Sequence, residues 1–514
     1  MGIIARKSKK EFLKRDRHDF REYKKLTETQ LEDRMMKLPV RPPIWQKLSH
    51  LQKVCFIIGA ETRRFCFFND TGTGKSLLAI ALLRYFRKFG VIGNALILVP
   101  NKINKREWEL EIQKHSPQSS CLVLRGSSDE KWQAVADNDV LFTIETYAGF
   151  SRMACDREET KTGEKLKPSP KKAALLAKYF DAIVCDESVN VGHHTNLPFR
   201  LCRKLSKTSP VVFTMTGTPF NRDPTLLWAQ IFLVDHGYTL GETLGLFRSI
   251  FCKEQDNYWS GAKEYKFDKK QQGLLNDLIA HRSIAYPVDE GSLPACVEIP
   301  KFVQLPSDAE TYYEKAKQEL VAAKGNFTET KNAFIRMRQI SSGFVGYADD
   351  ETGERAKFAF PDNPKLDMLM SMLKSINPEH KVIVFIDFNY SGERILKELI
   401  TAKISASLLY GKTKNPDHVR DLFVNDPKQR VLILQNKLGV GLNIQVARYG
   451  IFYESPVSAI DRKQCRRRVE RQHSLYNTVF IYDLLMKGTV DEQILEYHKE
   501  GKDLFEGIIQ GNVK

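Results

Sequence analysis

The segment Asn69-Asp70-Thr71-Gly72-Thr73-Gly74-Lys75-Ser76 sets two glycines, a lysine and a hydroxyl at the spacing of a phosphate-binding loop. Gly72 and Gly74 let backbone N–H groups approach phosphate oxygens, Lys75 can reach terminal phosphates, and Ser76 can hold a magnesium ion. Thr71 and Thr73 complete the loop, and its first position is Asn69 where glycine or alanine is usual. The implied chemistry is binding of ATP or GTP. Asp186-Glu187 adds one carboxylate to hold the metal through water and a second to orient and deprotonate an attacking water. Thr216-Gly217-Thr218-Pro219 offers hydroxyls able to sense that acidic pair; a simple turn is the plainer reading. Gln464, Arg468 and Arg471 are spaced by four and three, which on a helix shares one face.

These groups need a scaffold, and the apolar pattern supplies one. The run Phe65 to Phe68 precedes the loop and a helical pattern, Leu77 to Leu83, follows it, giving strand, loop, helix. Buried-strand patterns recur at 95–99, 121–124, 140–143, 181–185 and 211–215, then at 382–386, 406–410, 431–434 and 451–453. Helical patterns separate them, so the fold class is α/β, with two lobes of parallel sheet. Asp186-Glu187 then falls at the C-terminal end of its strand, the edge where such sheets bind ligands. Residues 240–375 read as mainly helical (309–322, 331–340, 364–373), with 287–300 as the hinge between lobes. Residues 161–172 read as a basic, proline-containing loop inserted in the first lobe. Residues 1–40 read as a charged extension, an exposed or docking helix carrying Phe12, Phe20, Tyr23 and Leu31 before Pro42-Pro43.

Composition narrows the partner. Lysine and arginine exceed aspartate and glutamate by 79 to 63, a net charge of +16 that favours an anionic partner such as nucleic acid over a merely soluble surface. Nine scattered cysteines without CxxC pairs indicate neither a disulfide framework nor a zinc site, and imply a reducing compartment. His193-His194 lacks ligand partners at metal spacing. No apolar run approaches the roughly 20 residues needed to span a bilayer, and the N-terminus enters charge directly without a signal core. The expectation is a soluble, intracellular protein with no membrane partner.

The motifs, taken in order, resemble those of superfamily two helicases, and among them the Swi/Snf type of DNA translocase. Phe68 to Ser76 resembles the ADEMGLGKT loop, and Leu96 to Pro100 with Trp108 and Glu111 is similar to LIVxP...W..E. Thr214 to Asn221 with Leu226-Leu227-Trp228 resembles LLTGTPLQN..ELW, and Arg336 to Ile340 resembles RLRQIC. Lys437 to Asn443 is similar to KAGGVGLNL, Gln464, Arg468 and Arg471 to QxxxRxxR, and Lys487 to Glu492 with Ile494 to KGTVEExI. The resemblance runs from about residue 41 to about 505.

It implies two RecA-like lobes, 41–295 and 296–514, with helical protrusions between them and the ATP site in the interlobe cleft. It also implies ATP and magnesium as cofactors: Gln46 would read adenine, Gly441 and Gln464 would join Thr71 to Ser76 in binding ATP, and Ser76 with Asp186 would hold the metal. Lys75, Glu187 and the arginine fingers Arg468 and Arg471 would be catalytic, with Thr216, Gly217 and Thr218 coupling. DNA would be gripped by its phosphates through Asn101, Lys102, Thr146, Lys437 and Asn443, with the basic loop Lys165 to Lys172 as a further candidate. Hydrolysis would open the cleft as a ratchet.

Three features depart from the family pattern. The acidic box reads Asp186-Glu187-Ser188-Val189, which leaves open how it couples to Thr216-Gly217-Thr218; Arg471-Gln472-His473-Ser474 replaces the RIGQ ending; and only about 40 residues precede the core. That brevity suggests a viral, phage or other prokaryotic-type member, cytoplasmic there or nuclear in a eukaryote. The expected function is ATP-driven translocation on duplex or branched DNA, displacing proteins or remodelling branches, with a protein partner possible for the N-terminal extension. A strand-separating helicase, on DNA or RNA, and a nucleotide-switched DNA-binding scaffold with vestigial hydrolysis are the alternatives.

Overall fold

The computed structural model describes residues 11–160, 163–219, 224–256, 263–288, 291, 293–323, 326–348, 355–438, 444–471 and 474–500. Its chain forms two compact units, one of Met1–Asp256 with Ala262–Val288 and one that includes Asp289–Lys514.

In the first unit the strands are β1 (Arg64–Phe67), β2 (Ala95–Val99), β3 (Cys121–Val123), β4 (Phe142–Thr146), β5 (Cys155–Thr160), β6 (Gly163–Pro168), β7 (Ala182–Asp186), β8 (Val211–Met215), β9 (Cys252–Asp256), β10 (Lys263–Phe267) and β11 (Ser283–Ile284). Seven of them make one sheet in the order β11-β1-β8-β7-β2-β4-β3, parallel throughout. Helices cover both faces, so strand residues must be apolar on both sides, and the pleat divides them between two cores. Phe65, Phe67, Ala95, Ile97 and Val99 pack with the helices His50–Thr62 and Lys75–Lys88. Cys66, Phe68, Leu96 and Leu98 pack with Phe150, Phe199 and Leu227 on the other face. The charged N-terminal stretch docks on its own unit: Phe20, Tyr23, Leu31 and Met35 enter the first core, Phe12 the second, and Phe20 N–H donates to Ala280 O at 3.0 Å.

The second unit contains β12 (Ala295–Val303), β13 (Phe344–Ala348), β14 (Arg355–Ala359), β15 (Lys381–Ile386), β16 (Ala406–Leu409), β17 (Val431–Gln435), β18 (Ala447–Phe452) and β19 (Thr478–Met486). Its six-stranded sheet runs β12-β19-β18-β15-β17-β16, again parallel throughout. The helices Ser307–Ala322 and Phe327–Ser341 build a satellite core with Val490 and Ile494 of the closing helix Val490–Lys499.

Three local expectations change. Residues 295–300, read as part of a hinge, begin β12, an edge strand; Pro300 is tolerated there because an edge strand leaves some N–H positions outside the ladder. The basic loop is replaced by the antiparallel hairpin β5–β6, with Arg157 paired to Glu164 at 3.1 Å, and by the helix Pro170–Tyr179; residues 161–162 lie outside the described residues. The 240–375 region carries two further hairpins, β9–β10 and β13–β14, beside its helices. Among the described residues no helix is long and apolar enough to cross a membrane.

Candidate nucleotide-binding site

Sheet order brings the first-unit motifs together. β1, β8 and β7 are neighbours and parallel, with Phe67 opposite Met215 and Met215 opposite Asp186. The phosphate-type loop, Thr216 and Glu187 therefore leave the same edge side by side.

The loop is shaped by its glycines and by two glutamine and asparagine side chains. Gly72 and Gly74 take positive φ, +93° and +75°, which glycine adopts without strain. Gly74 opens the helix Lys75–Lys88 without a side-chain cap, so the first-turn N–H groups and the positive helix end face an incoming anion. Lys75 Nζ donates to Asn69 O at 2.9 Å and Asp70 O at 3.2 Å, lying back across the loop. Asn69 is buried: its Nδ2 donates to Cys55 Sγ at 3.4 Å and its Oδ1 accepts from Tyr286 N at 3.1 Å. The side chain that departs from the usual glycine or alanine thus pins the loop entrance to the segment after β11.

Two glutamines that precede the loop differ in placement. Gln46 is exposed on the short turn Trp45–Lys47. Gln52 is buried, and its Nε2 donates to Thr73 O and Gly74 O, both at 3.2 Å. A capping box fixes it, with Ser49 Oγ accepting from Gln52 N and Gln52 Oε1 accepting from Ser49 N at 2.9 Å. A Cβ at position 74 would come 2.1 Å from Gln52 Nε2, so the glycine there is required twice over.

The acidic pair is oriented from three sides. Trp108 Nε1 donates to Asp186 Oδ2 at 2.8 Å, Glu187 N donates to Asp186 Oδ1 at 3.0 Å, and Tyr147 OH donates to Asp186 O at 2.7 Å. Burial and the neighbouring Glu187 push the Asp186 carboxyl up to about 6, against the pull of Trp108 and Lys75. Two carboxylates at one buried edge beside a lysine form a donor set that a divalent cation would stabilise; with the Ser76 hydroxyl at the helix start, the residues fit a magnesium–phosphate group. Glu187 has a left-handed backbone, φ +44°, uncommon for a residue with a side chain. Thr216 Oγ1 donates to Glu187 Oε2 at 3.0 Å and accepts from Thr218 N at 3.2 Å. Gly217 lies against the phosphate loop, where an added Cβ would sit 3.2 Å from Thr71 N.

Other candidates separate by what their side chains already do. Asn101 caps the helix Lys102–His115, its Oδ1 accepting from Ile103 N and Asn104 N, while Lys102 is exposed. Thr146 is buried, accepting from Gly149 N at 2.9 Å and donating to Glu145 Oε1 at 3.2 Å, so its hydroxyl is committed inside the protein.

In the second unit Gln464 and Arg468 lie on the helix Ala459–Val469, and Arg468 is buried. Arg471 lies beyond that helix, contrary to the shared-face expectation. Glu470 ends the helix, its N–H bonded to Arg466 O and its carboxylate held by Arg466 at 2.8 Å and Arg467 at 3.5 Å. Arg466 and Arg467 are thus paired to acids within their own unit. Lys437 is exposed in the turn Asn436–Leu438; Gly441 and Asn443 lie outside the described residues. At the sheet's C-terminal edge Arg338 donates to Asp387 at 2.6 Å and to Ser455 O, and Asn436 Nδ2 donates to Asp387 Oδ1 at 2.7 Å. The arginine of the Arg336-to-Ile340 element therefore anchors the satellite helices to the sheet.

Comparison with known proteins matches residues 50–347 to the SNF2-related domain and 364–473 to the helicase conserved C-terminal domain. A CHD3-type chromatin-remodeling factor of Arabidopsis thaliana is 25% identical over 86% of this chain and 35% of its own length. A putative protein of Acyrthosiphon pisum secondary endosymbiont phage 1 is 26% identical over 62% of this chain and 69% of its own. The chain spans less than half the length of the first curated relatives it matches. The SWI2/SNF2 ATPase core of Sulfolobus solfataricus, solved in complex with dsDNA, is 20% identical over 93% of this chain and 96% of that one, with a TM-score of 0.40.

Proposed function

Because the chain belongs to the SNF2-related family of helicase-like ATPases and carries the helicase conserved C-terminal domain, we propose that it is an ATP-driven motor that translocates along duplex DNA, remodelling protein–DNA complexes or branched DNA. The observation that carries this reading is the row formed by the phosphate loop, Thr216 and Glu187 on one sheet edge, with Thr216 bonded to Glu187. In a scaffold with vestigial hydrolysis, selection would not keep loop, acidic pair and threonine in working register.

Lys75 and the loop N–H groups from Thr71 to Ser76 bind the phosphates, and Lys75 exchanges the loop carbonyls for phosphate oxygens. Ser76 and Asp186 would hold magnesium, which would supply charge neutralisation at the phosphates. Glu187 orients the attacking water and accepts its proton. Thr216, Gly217 and Thr218 relay its state. Arg468 and Arg471 are the second-unit candidates for supplying positive charge to a phosphoryl group, and Gln464 and Gly441 the candidates for nucleotide contact, each on the family resemblance. We transfer the adenine-reading role from Gln46 to Gln52, because Gln52 already bonds the loop. Lys102, Asn101, Lys437 and Asn443 are the proposed phosphate contacts on DNA, which a motor blind to sequence needs more than base contacts.

The test is steady-state ATP hydrolysis without nucleic acid and with single-stranded, duplex and branched DNA and RNA, beside Glu187→Gln. The motor reading expects duplex or branched DNA to stimulate turnover, and the variant to lose it by about a hundredfold or more with nucleotide binding retained. Stimulation by single strands or RNA alone would replace it with an unwinding helicase. Absence of any Glu187-dependent turnover would leave the scaffold.

A further inference from the structure

Ser188 stands directly after the acidic pair, and its hydroxyl is bonded to a residue that no motif includes, on the helix that carries Leu226-Leu227-Trp228. Ser188 Oγ donates to Gln230 Oε1 at 2.6 Å. Gln230 is fully buried in the helix Thr225–Asp235, among Leu226, Leu227, Trp228, Ala229, Ile231 and Phe232. Its Nε2 donates to Leu226 O at 2.9 Å, one turn back, and to Pro219 O, the last residue of the Thr216-to-Pro219 loop. This orientation of the amide is the one that satisfies both carbonyls and the hydroxyl. A glutamine in so apolar a setting is costly unless every polar atom is paired, and here each one is.

The geometry points to Gln230 as a positioning residue that, with Ser188, couples the acidic pair to the Thr216-to-Pro219 loop. The loop is then held at both ends by two consecutive residues. Thr216 bonds Glu187, and Pro219 bonds Ser188 through Gln230. Gly217, between these ties, rests on the phosphate loop. A shift at Glu187 moves Ser188 with it, and the amide carries that shift to Pro219, six residues before the helix Thr225–Asp235 begins. The altered box thereby gains its own connection in place of the usual third and fourth residues.

The inference rests on the ATP-driven reading, and its test separates the two. Ser188→Ala, Gln230→Leu and the double variant are compared in the full chain for thermal midpoint, affinity for a fluorescent ATP analogue, KM and kcat of ATP hydrolysis with and without duplex DNA, and third-strand displacement from a triplex. Each single variant strands a polar partner, whereas the double variant removes hydroxyl and amide together, leaves Pro219 O without its amide donor, and should recover part of the lost stability. A coupling role predicts that the double variant keeps the wild-type midpoint within a few degrees and an unchanged KM for ATP. Its duplex-stimulated kcat and strand displacement should fall by about tenfold or more. Duplex stimulation equal to wild type in a folded double variant would overturn the inference. Gln230→Met, longer and flexible enough to fill the same space, replaces leucine if that variant does not fold; failure of both to fold would mark the contact as structural and overturn it too. If the unmodified protein is not stimulated by duplex DNA, it is the motor reading that falls.

Discussion

At the scale of single residues, Asp186 carries the clearest measurable signature. Its carboxyl is raised to about 6, so near and below that pH a divalent cation must displace a proton there. Magnesium–nucleotide binding should therefore tighten as pH rises through about 6 and weaken below it. At pH 6 it should release about half a proton more from the native chain than from Asp186→Asn, and by pH 8 that difference should vanish. Calorimetry in buffers of different ionisation enthalpy reads this directly. Gln52 gives a second expectation. Removing its amide in Gln52→Ala leaves the Thr73 and Gly74 carbonyls without their donor, and should weaken ATP binding about tenfold while altering GTP binding less, measured by equilibrium titration. Gln46→Ala should change neither.

At the scale of elements, the helix His50–Thr62 matters because it delivers Gln52 to the loop that begins Lys75–Lys88. The two helices meet at Gly59, where a Cβ would fall 2.7 Å from Leu82 Cδ1. Gly59→Ala should therefore gain helix propensity and still destabilise the first unit by about 1 kcal/mol or more through overpacking. Nucleotide affinity should drop with it, and denaturant titration beside nucleotide binding checks both.

That contact also shows what could be read from the chain and what could not. The phosphate loop, Asp186-Glu187 and Thr216 to Pro219 were legible because their chemistry demands fixed residue types at short spacing after buried strands. The parallel sheets were legible because strands covered on both faces must be apolar throughout. Gln52, Gln230 and Asn69 were not, since each earns its place through a partner far along the chain: Gly74, Ser188 and Tyr286. The β5–β6 hairpin lacks apolar alternation and is paired through charges, so it looked like a loop. Arg471 looked helical because spacing alone does not reveal that Glu470 is captured by the two preceding arginines.

At the scale of the whole molecule, a net charge of +16 makes the proposed DNA binding an electrostatic matter. Affinity for a duplex should fall linearly on a log–log plot against salt, and Lys437→Ala should reduce that slope by roughly 0.9 while nucleotide affinity in the absence of DNA stays unchanged. Fluorescence anisotropy across a salt series measures it.

The chain leaves the first unit by way of β11, which runs parallel to β1 and is bonded to it and onward into the nucleotide loop: Phe68 N to Ile284 O, Asp70 N to Tyr286 O, and Tyr286 N to Asn69 Oδ1. Two residues further, at Val288, that unit ends. Mechanically this is a lap joint. Tension along the connecting chain loads the bonds in shear, together rather than one at a time, and its first rigid anchorage is the backbone that cradles the phosphates. Force applied to the chain beyond Val288 would thereby strain the phosphate loop itself.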